Sequence, residues 1–203
     1  MTEMECFFDC SSPWSYFAFE SLLHMQQEIE VTIQWRPILV GGVFNAVNPS
    51  VHNAREKPVP AKSAYGKKDQ QDWARYLGIP IHYRPTVFPV NSVKAMRACI
   101  ALEPDGKLVP FARETFKAYW IEDQDISQVP VLTNVLRKID ANPDKLFAAI
   151  DQQPVKDALR ASTQELIDRG GFGSPTMFVG GDDMYFGNDR MPLIKDAVLR
   201  RRS

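Results

Sequence analysis

The chain has 203 residues and a formal net charge of −1, with 44% hydrophobic and 24% charged residues. That is enough apolar material for one packed domain, or for one domain carrying a sizeable insertion, and the near-neutral balance argues against electrostatically driven nucleic-acid binding. No apolar run reaches membrane-spanning length and no basic-then-apolar leader opens the sequence, so a soluble cytoplasmic protein is expected, with no nucleic-acid and no membrane partner.

Cys6, Cys10 and Cys99 are odd in number and lack CxxC spacing, which fits neither a disulfide framework nor a zinc site, so no metal is expected. Cys6 and Cys99 read as small core residues; Cys10 stays open because it lies two residues before Ser12. The first strand has Met4, Cys6 and Phe8 on one side and Phe7 on the other. Asp9 to Tyr16 then turn into a helix, with Ser12 at the N-cap, Pro13 at the first helical position, and Trp14, Phe17, Ala18, Leu22, Met25 and Ile29 at helical spacing. Ser12 reads either as a cap or as a functional hydroxyl at the positive end of the helix dipole. Val31 to Leu39 alternates as a second strand, limited by Pro37 and joined to the first by a crossover long enough for parallel pairing.

Residues 40–61 show no clear period and hold Gly41, Gly42, Pro49, Pro58 and Pro60, which predicts a functional loop. A helix marked by Tyr65, Trp73, Tyr76 and Leu77 ends at Gly78, and an extended stretch runs from Ile81 to Val90. Asn91 and Ser92 offer a cap for a helix carrying Val93, Met96, Ala98 and Ile100. Three or four further helices follow, among them an aromatic one with Phe111, Phe116, Tyr119 and Trp120, one starting at Asn142-Pro143, and one opened by Pro154. Thr176 to Val179, a Gly-Gly-Asp-Asp turn and Met184 to Phe186 form a hairpin, and a last helix carries Leu193, Ile194, Ala197 and Val198 before Arg200 to Arg202, read as complements of its dipole.

The order β-α-β, long helical stretch, β-β-α describes a four-stranded mixed sheet split by an all-helical insertion. It is the order of the thioredoxin fold in its disulfide-oxidoreductase branch. The predicted division is a discontinuous thioredoxin-like domain, 1–40 and 171–203, and an inserted helical domain, 41–170. Ser12-Pro13-Trp14-Ser15 stands where that fold places Cys-Pro-x-Cys, and Ser174-Pro175-Thr176 stands where it places a cis-proline loop. Without cysteine at 12 and 15, dithiol exchange has no reagents there. What remains is a helix N-terminus with a hydroxyl beside a peptide-recognising loop, a place to hold a thiolate supplied by a ligand such as glutathione.

Asp9-Cys-Ser-Ser-Pro-Trp-Ser-Tyr16, Gly173-Ser-Pro-Thr-Met-Phe178 and Phe186-Gly-Asn-Asp-Arg190 resemble the 2-hydroxychromene-2-carboxylate isomerase family, which is related to the kappa-class glutathione transferases. The resemblance covers essentially the whole chain. It implies glutathione as cofactor, a small aromatic substrate and a homodimer. Carried over by position, Ser12 is the catalytic serine at the glutathione sulfur. Ser174 and Pro175 meet the cysteinyl part, Phe186, Gly187, Asn188 and Asp189 take the γ-glutamyl end, and Asn53 and Asn91 face the substrate. Capping the following helix is an equal physical role for Asp189 and for Asn91.

The implied reaction is the isomerisation of 2-hydroxychromene-2-carboxylate and trans-o-hydroxybenzylidenepyruvate by thiolate addition, bond rotation and elimination. A kappa-type transferase and a non-catalytic thiol- or peptide-binding module are the competing readings. A serine hydrolase is set aside, since no G-x-S-x-G surrounds Ser12 or Ser174 and His24 lies turns away along the first helix.

Overall fold

The structure is a computed structural model and describes residues 2–201. Met1, Arg202 and Ser203 lie outside the described residues, among them the last of the three terminal arginines. Strands β1 (Thr2–Phe8), β2 (Val31–Pro37), β3 (Thr176–Val179) and β4 (Asp183–Phe186) form one sheet in the order β2-β1-β3-β4. β1 pairs parallel with β2, placing Cys6 opposite Trp35, and antiparallel with β3, placing Cys6 opposite Met177; β3 and β4 make the antiparallel hairpin. The mixed four-stranded sheet of a thioredoxin-like fold is therefore present as expected.

The alternation seen in the sequence sets which side chain faces which layer. Met4, Cys6 and Phe8 of β1 and Val31, Ile33 and Trp35 of β2 join the main core with helix α1 (Pro13–Glu28). Phe7 and Phe178 point to the opposite face, where they pack with Ile38, Val43 and Leu166. Both faces of the central strands are thus covered.

Eight helices lie between β2 and β3: α2 (Val40–Val47), α3 (Ser50–Glu56), α4 (Pro60–Leu77), α5 (Val93–Leu102), α6 (Leu108–Trp120), α7 (Val129–Lys138), α8 (Pro143–Ile150) and α9 (Gln153–Asp168). A short 3-10 turn (Asn188–Arg190) leads into α10 (Met191–Arg200). The helical segment shares the core of the sheet: Phe116 of α6 stacks on Tyr16 of α1 at 4.9 Å and meets Phe8 at 6.2 Å and Phe19 at 5.3 Å. The Asn142 side chain accepts from the Lys145 amide and caps α8, as its position before Pro143 predicts.

One expectation fails in this segment. Residues 40–61 are not a loop but contain α2 and α3 and the start of α4. Helix α2 carries two glycines, which cost about 1 kcal/mol each against alanine, and it is held by distant groups. Asp9 Oδ2 accepts from the Val40 amide and Thr163 Oγ1 accepts from the Leu39 amide. At Gly42 a β-carbon would sit 3.5 Å from the Thr163 methyl group, an ordinary van der Waals contact between α2 and α9. Helix α4 exists where predicted and ends at Gly78 in the left-handed conformation, with Trp73 and Leu77 packed against the main core. Tyr65 and Tyr76 are 65% and 79% exposed, and only Gln70 and Ala74 of that helix are buried.

Candidate active site

β1 delivers the chain to the sheet's end, where Asp9 begins a tight turn. The Ser12 amide donates to the Asp9 carbonyl, 3.0 Å, and Ser12 itself is extended (φ −101°, ψ 123°) at the N-cap of α1. Its Oγ accepts from the Ser15 amide, 3.2 Å, which satisfies one of the free donors of the first turn. The same hydroxyl donates to the Ser174 carbonyl at 3.1 Å, across from a cis Ser174–Pro175 bond. The Ser15 and Ser174 hydroxyls are hydrogen-bonded at 2.6 Å. Three buried serines, 12, 15 and 174, thus occupy the ground that a CxxC motif and its cis-proline loop define, with the positive end of α1 behind them.

Asp9 ties this turn to its surroundings. Its carboxylate is buried and accepts from the Ser11 amide (2.9 Å), the Val40 amide (2.9 Å) and the Ser92 hydroxyl, joining the starts of α2 and α5 to the turn. Burial pushes the Asp9 carboxyl above its ordinary value, and those hydrogen bonds pull it partly back. Trp120 Nε1 donates to the Cys10 carbonyl at 3.0 Å and fixes the next residue.

The thiols contribute no nucleophile. Cys6, Cys10 and Cys99 are all buried and unpaired by disulfide; burial raises the Cys6 and Cys10 thiols, and Cys10 is hydrogen-bonded to Cys99. Cys10, left open by the sequence, faces the core. Among the described residues no cluster of three or more His, Cys, Asp or Glu could hold a metal ion.

Ser12 and Ser174 open into a cavity of about 750 Å³, whose walls include Trp14, Phe44, Phe88, Asn91 and Phe186. Of the residues expected at the site, Ser12, Ser174, Phe186 and Asn91 line this one cavity. Asn91 also accepts from the Val93 amide at 3.1 Å, so it serves the start of α5 as well. Pro175 lies directly behind, and its carbonyl accepts from the Gly187 amide at 3.1 Å.

Gly187 has φ +100°, which favours glycine; a β-carbon there would otherwise meet only the movable carboxylate end of Asp189, at 2.7 Å. Asn188 and Asp189 face a larger cavity of about 1050 Å³ along the outer side of α1. Asn188 is buried with no partner for its Nδ2 among the described residues, and Asp189 is paired with Arg190. The cap of α10 is Arg190, so Asp189 does not take the capping role.

The structure does not bring Asn53 to Ser12. It borders a separate shallow hollow with Ala54, Glu56 and Lys57. Its neighbours on α3, His52 and Arg55, line the Ser12 cavity instead. They are three apart on a helix and share a face, which Asn53 does not. Recognising α3 in the sequence would have added Arg55 to His52, which stands beside Asn53 as a substrate contact in the sequence reading. Tyr83 and Arg84, on the stretch before the second cis bond, Phe88–Pro89, complete the mouth and were not singled out by sequence.

The sequence profile of the DSBA-like thioredoxin domain matches residues 3–199. A 2-hydroxychromene-2-carboxylate isomerase of Pseudomonas putida is 30% identical over 202 residues, covering 97% of this chain and 94% of the relative. The chain belongs to the DSBA-like thioredoxin family, with the 2-hydroxychromene-2-carboxylate isomerases and kappa-class glutathione transferases. Glutathione S-transferase kappa 2 of Caenorhabditis elegans is 29% identical over 205 residues, 95% of this chain and 89% of that one. The structure of a 2-hydroxychromene-2-carboxylate isomerase superposes with a TM-score of 0.85 at 26% identity, covering 98% of this chain and 96% of that one. The relatives are named as isomerases and glutathione transferases, which supports an enzyme of the DSBA-like family. No helix among the described residues is long and apolar enough to cross a membrane.

Proposed function

We propose that this protein is a glutathione-dependent isomerase that interconverts 2-hydroxychromene-2-carboxylate and trans-o-hydroxybenzylidenepyruvate. The observation that carries the reading is the Ser12 hydroxyl, set at the N-terminus of α1 against the cis Ser174–Pro175 loop, where the redox relatives of this fold place a thiol. The chain supplies no thiol at that point, and a glutathione thiolate fills the role. Ser12 donates its hydrogen to the sulfur, and the helix terminus adds a favourable potential.

In this reading the backbone of Ser174 and Pro175 pairs with the cysteinyl unit. Phe186, Gly187, Asn188 and Asp189 hold the γ-glutamyl unit, and the unpartnered Asn188 amide nitrogen is a donor ready for it. Asp189 exchanges part of its bond to Arg190 for the ligand's ammonium. Of the two asparagines expected at the substrate, Asn91 is kept because it lines the Ser12 cavity.

The hemiketal first opens: its ring C–O bond breaks, the 2-hydroxyl becomes the ketone and its proton passes to the phenolic oxygen. The thiolate then adds to the conjugated alkene carbon and the electron pair moves into that carbonyl as an enolate. The former double bond rotates as a single bond. The enolate then restores the alkene and expels the thiolate, so glutathione is recovered. Two modest barriers replace one large rotational barrier. The enzyme acts as a soluble cytoplasmic homodimer.

The test is a spectrophotometric assay of 2-hydroxychromene-2-carboxylate with and without glutathione. Turnover that requires glutathione without consuming it supports the reading; glutathione-independent turnover, or none, overturns it. The relative of kappa class, matched at nearly the same identity as the isomerase, favours a second reading in which the thiolate stays on an electrophile. Mass spectrometry separates the two, because conjugation consumes glutathione in step with substrate.

A further inference from the structure

Two guanidinium groups stand at the mouth of the Ser12 cavity with no ion pair. Arg55 of α3 lies 5.7 Å from the ring centroid of Phe44 and 5.8 Å from that of Phe88, and Arg84 lies 5.7 Å from the same Phe88 ring. Among the described residues neither guanidinium has a carboxylate or hydrogen-bond partner, whereas Arg36, Arg113 and Arg169 are each paired with an acid. The one acid among the residues lining the cavity is Asp9, and its carboxylate is already taken by Ser11, Val40 and Ser92. The cavity therefore presents two positive charges that the protein leaves unneutralised.

Arg84 is also held where its backbone does not favour it. It has φ +58° and precedes Pro85, whereas the residue before a proline prefers extended angles. The surrounding chain fixes it: the His82 amide donates to the Trp120 carbonyl at 2.7 Å, and the Thr86 amide and hydroxyl both donate to Asp123, at 2.7 and 2.6 Å. A non-glycine residue kept in that region by flanking anchors is a feature of ligand-gripping segments.

We propose that Arg55 and Arg84 form an anion clamp that receives the carboxylate of an aromatic acid and makes the enzyme prefer such acids to neutral electrophiles. The inference rests on the proposed use of the Ser12 cavity. Guanidinium groups bind carboxylates with two charge-assisted hydrogen bonds, and unneutralised charge beside an apolar wall attracts anions from solution. The rings of Trp14, Phe44 and Phe88 supply a surface for the aromatic part.

The experiment is calorimetric titration of the full chain with 2-naphthoate, with its neutral isostere 2-naphthamide, and separately with glutathione. It uses the wild type, Arg55→Gln, Arg84→Gln and the double variant. Both side chains are exposed, and melting temperatures check that the variants fold. The wild type should bind naphthoate about tenfold more tightly than the amide, and the double variant should bring the two within about twofold, with the amide and glutathione unchanged. No binding of either compound, equal binding by the wild type, or a preference kept by the double variant overturns the clamp. A loss of glutathione affinity in place of naphthoate affinity overturns it too, since the clamp would then hold a carboxylate of the tripeptide. Absence of isomerase turnover in a protein that keeps the naphthoate preference would instead retire the function proposed above and leave the clamp standing.

Discussion

The floor and the roof of the Ser12 cavity are built in opposite ways. On the floor, Asp9, Ser12, Ser15 and Ser174 are all buried and every hydroxyl and carboxylate has a partner drawn from a distant segment. The roof comes from α3, which buries no residue at all, and from α4, which buries only Gln70 and Ala74. The floor is over-determined and fixes where a sulfur can sit. The roof is loosely tied, so its side chains can change what fits above that sulfur at little cost to the fold. Chemistry and selectivity are thereby placed on parts of the chain with different tolerance for substitution.

Asp9→Ala gives the largest effect expected. It strands the Val40 and Ser11 amides and the Ser92 hydroxyl in a buried setting, and should cost about 3 kcal/mol of unfolding free energy in a urea titration. A loss below about 1 kcal/mol would show that the floor is not tied as described. The same carboxyl predicts a pH dependence. Because burial raises its pKa, the native state holds the proton more tightly than the unfolded chain does. Its contribution to stability is complete below the ordinary carboxyl value and falls as the pH rises through the native one. The stability of the wild type relative to Asp9→Asn should therefore decline with rising pH, and a flat difference would contradict a buried ionising carboxyl.

Ser12→Ala comes next. Under the proposed function, turnover at saturating glutathione should fall about a hundredfold, the usual loss for one donor aimed at a developing anion. Unfolding free energy should fall by only about 1 kcal/mol, the value of a helix cap. Unchanged turnover would remove Ser12 from the chemistry. Asp123→Ala releases Thr86 from the wall segment and should cost about 1 kcal/mol, read by thermal unfolding. On α4 away from the Ser12 cavity, Tyr76→Ser should shift stability by less than about 0.5 kcal/mol in the monomeric protein. A larger loss that depends on protein concentration would instead place Tyr76 in the contact between copies.

The floor was legible in the sequence and the roof was not, for physical reasons. Met4, Cys6 and Phe8 against Phe7, and Val31, Ile33 and Trp35 against Thr32, Gln34 and Arg36, carry the sheet's period within a few residues. Ser12-Pro13 declares a helix start by purely local chemistry, and Ser174-Pro175 marks the opposing loop. Helix α2 depends on Asp9 and Thr163, partners far away in the sequence, while its own glycines speak against helix. Once α2 and α3 are missed, no helical phase is available for residues 50–56. Asn53 then cannot be told from His52 and Arg55 as the residue that faces the cavity. Helix α4 was legible by local signals alone: the spacing of Tyr65, Trp73, Tyr76 and Leu77 marks the helix and Gly78 its end, although Tyr65 and Tyr76 face solvent.

The hydrogen that Ser12 gives to the Ser174 carbonyl has a consequence for which sulfur the site accepts. The hydroxyl has a single proton, already engaged with a good acceptor, so an incoming group must offer more than that carbonyl does. A neutral thiol is a poor acceptor and cannot compete. An anionic sulfur forms a charge-assisted bond and can. Under the proposed function the resting contact therefore works as a charge filter. It favours the ionised form of glutathione over the protonated form at the Ser12 hydrogen, with no acid or base of the protein having to move.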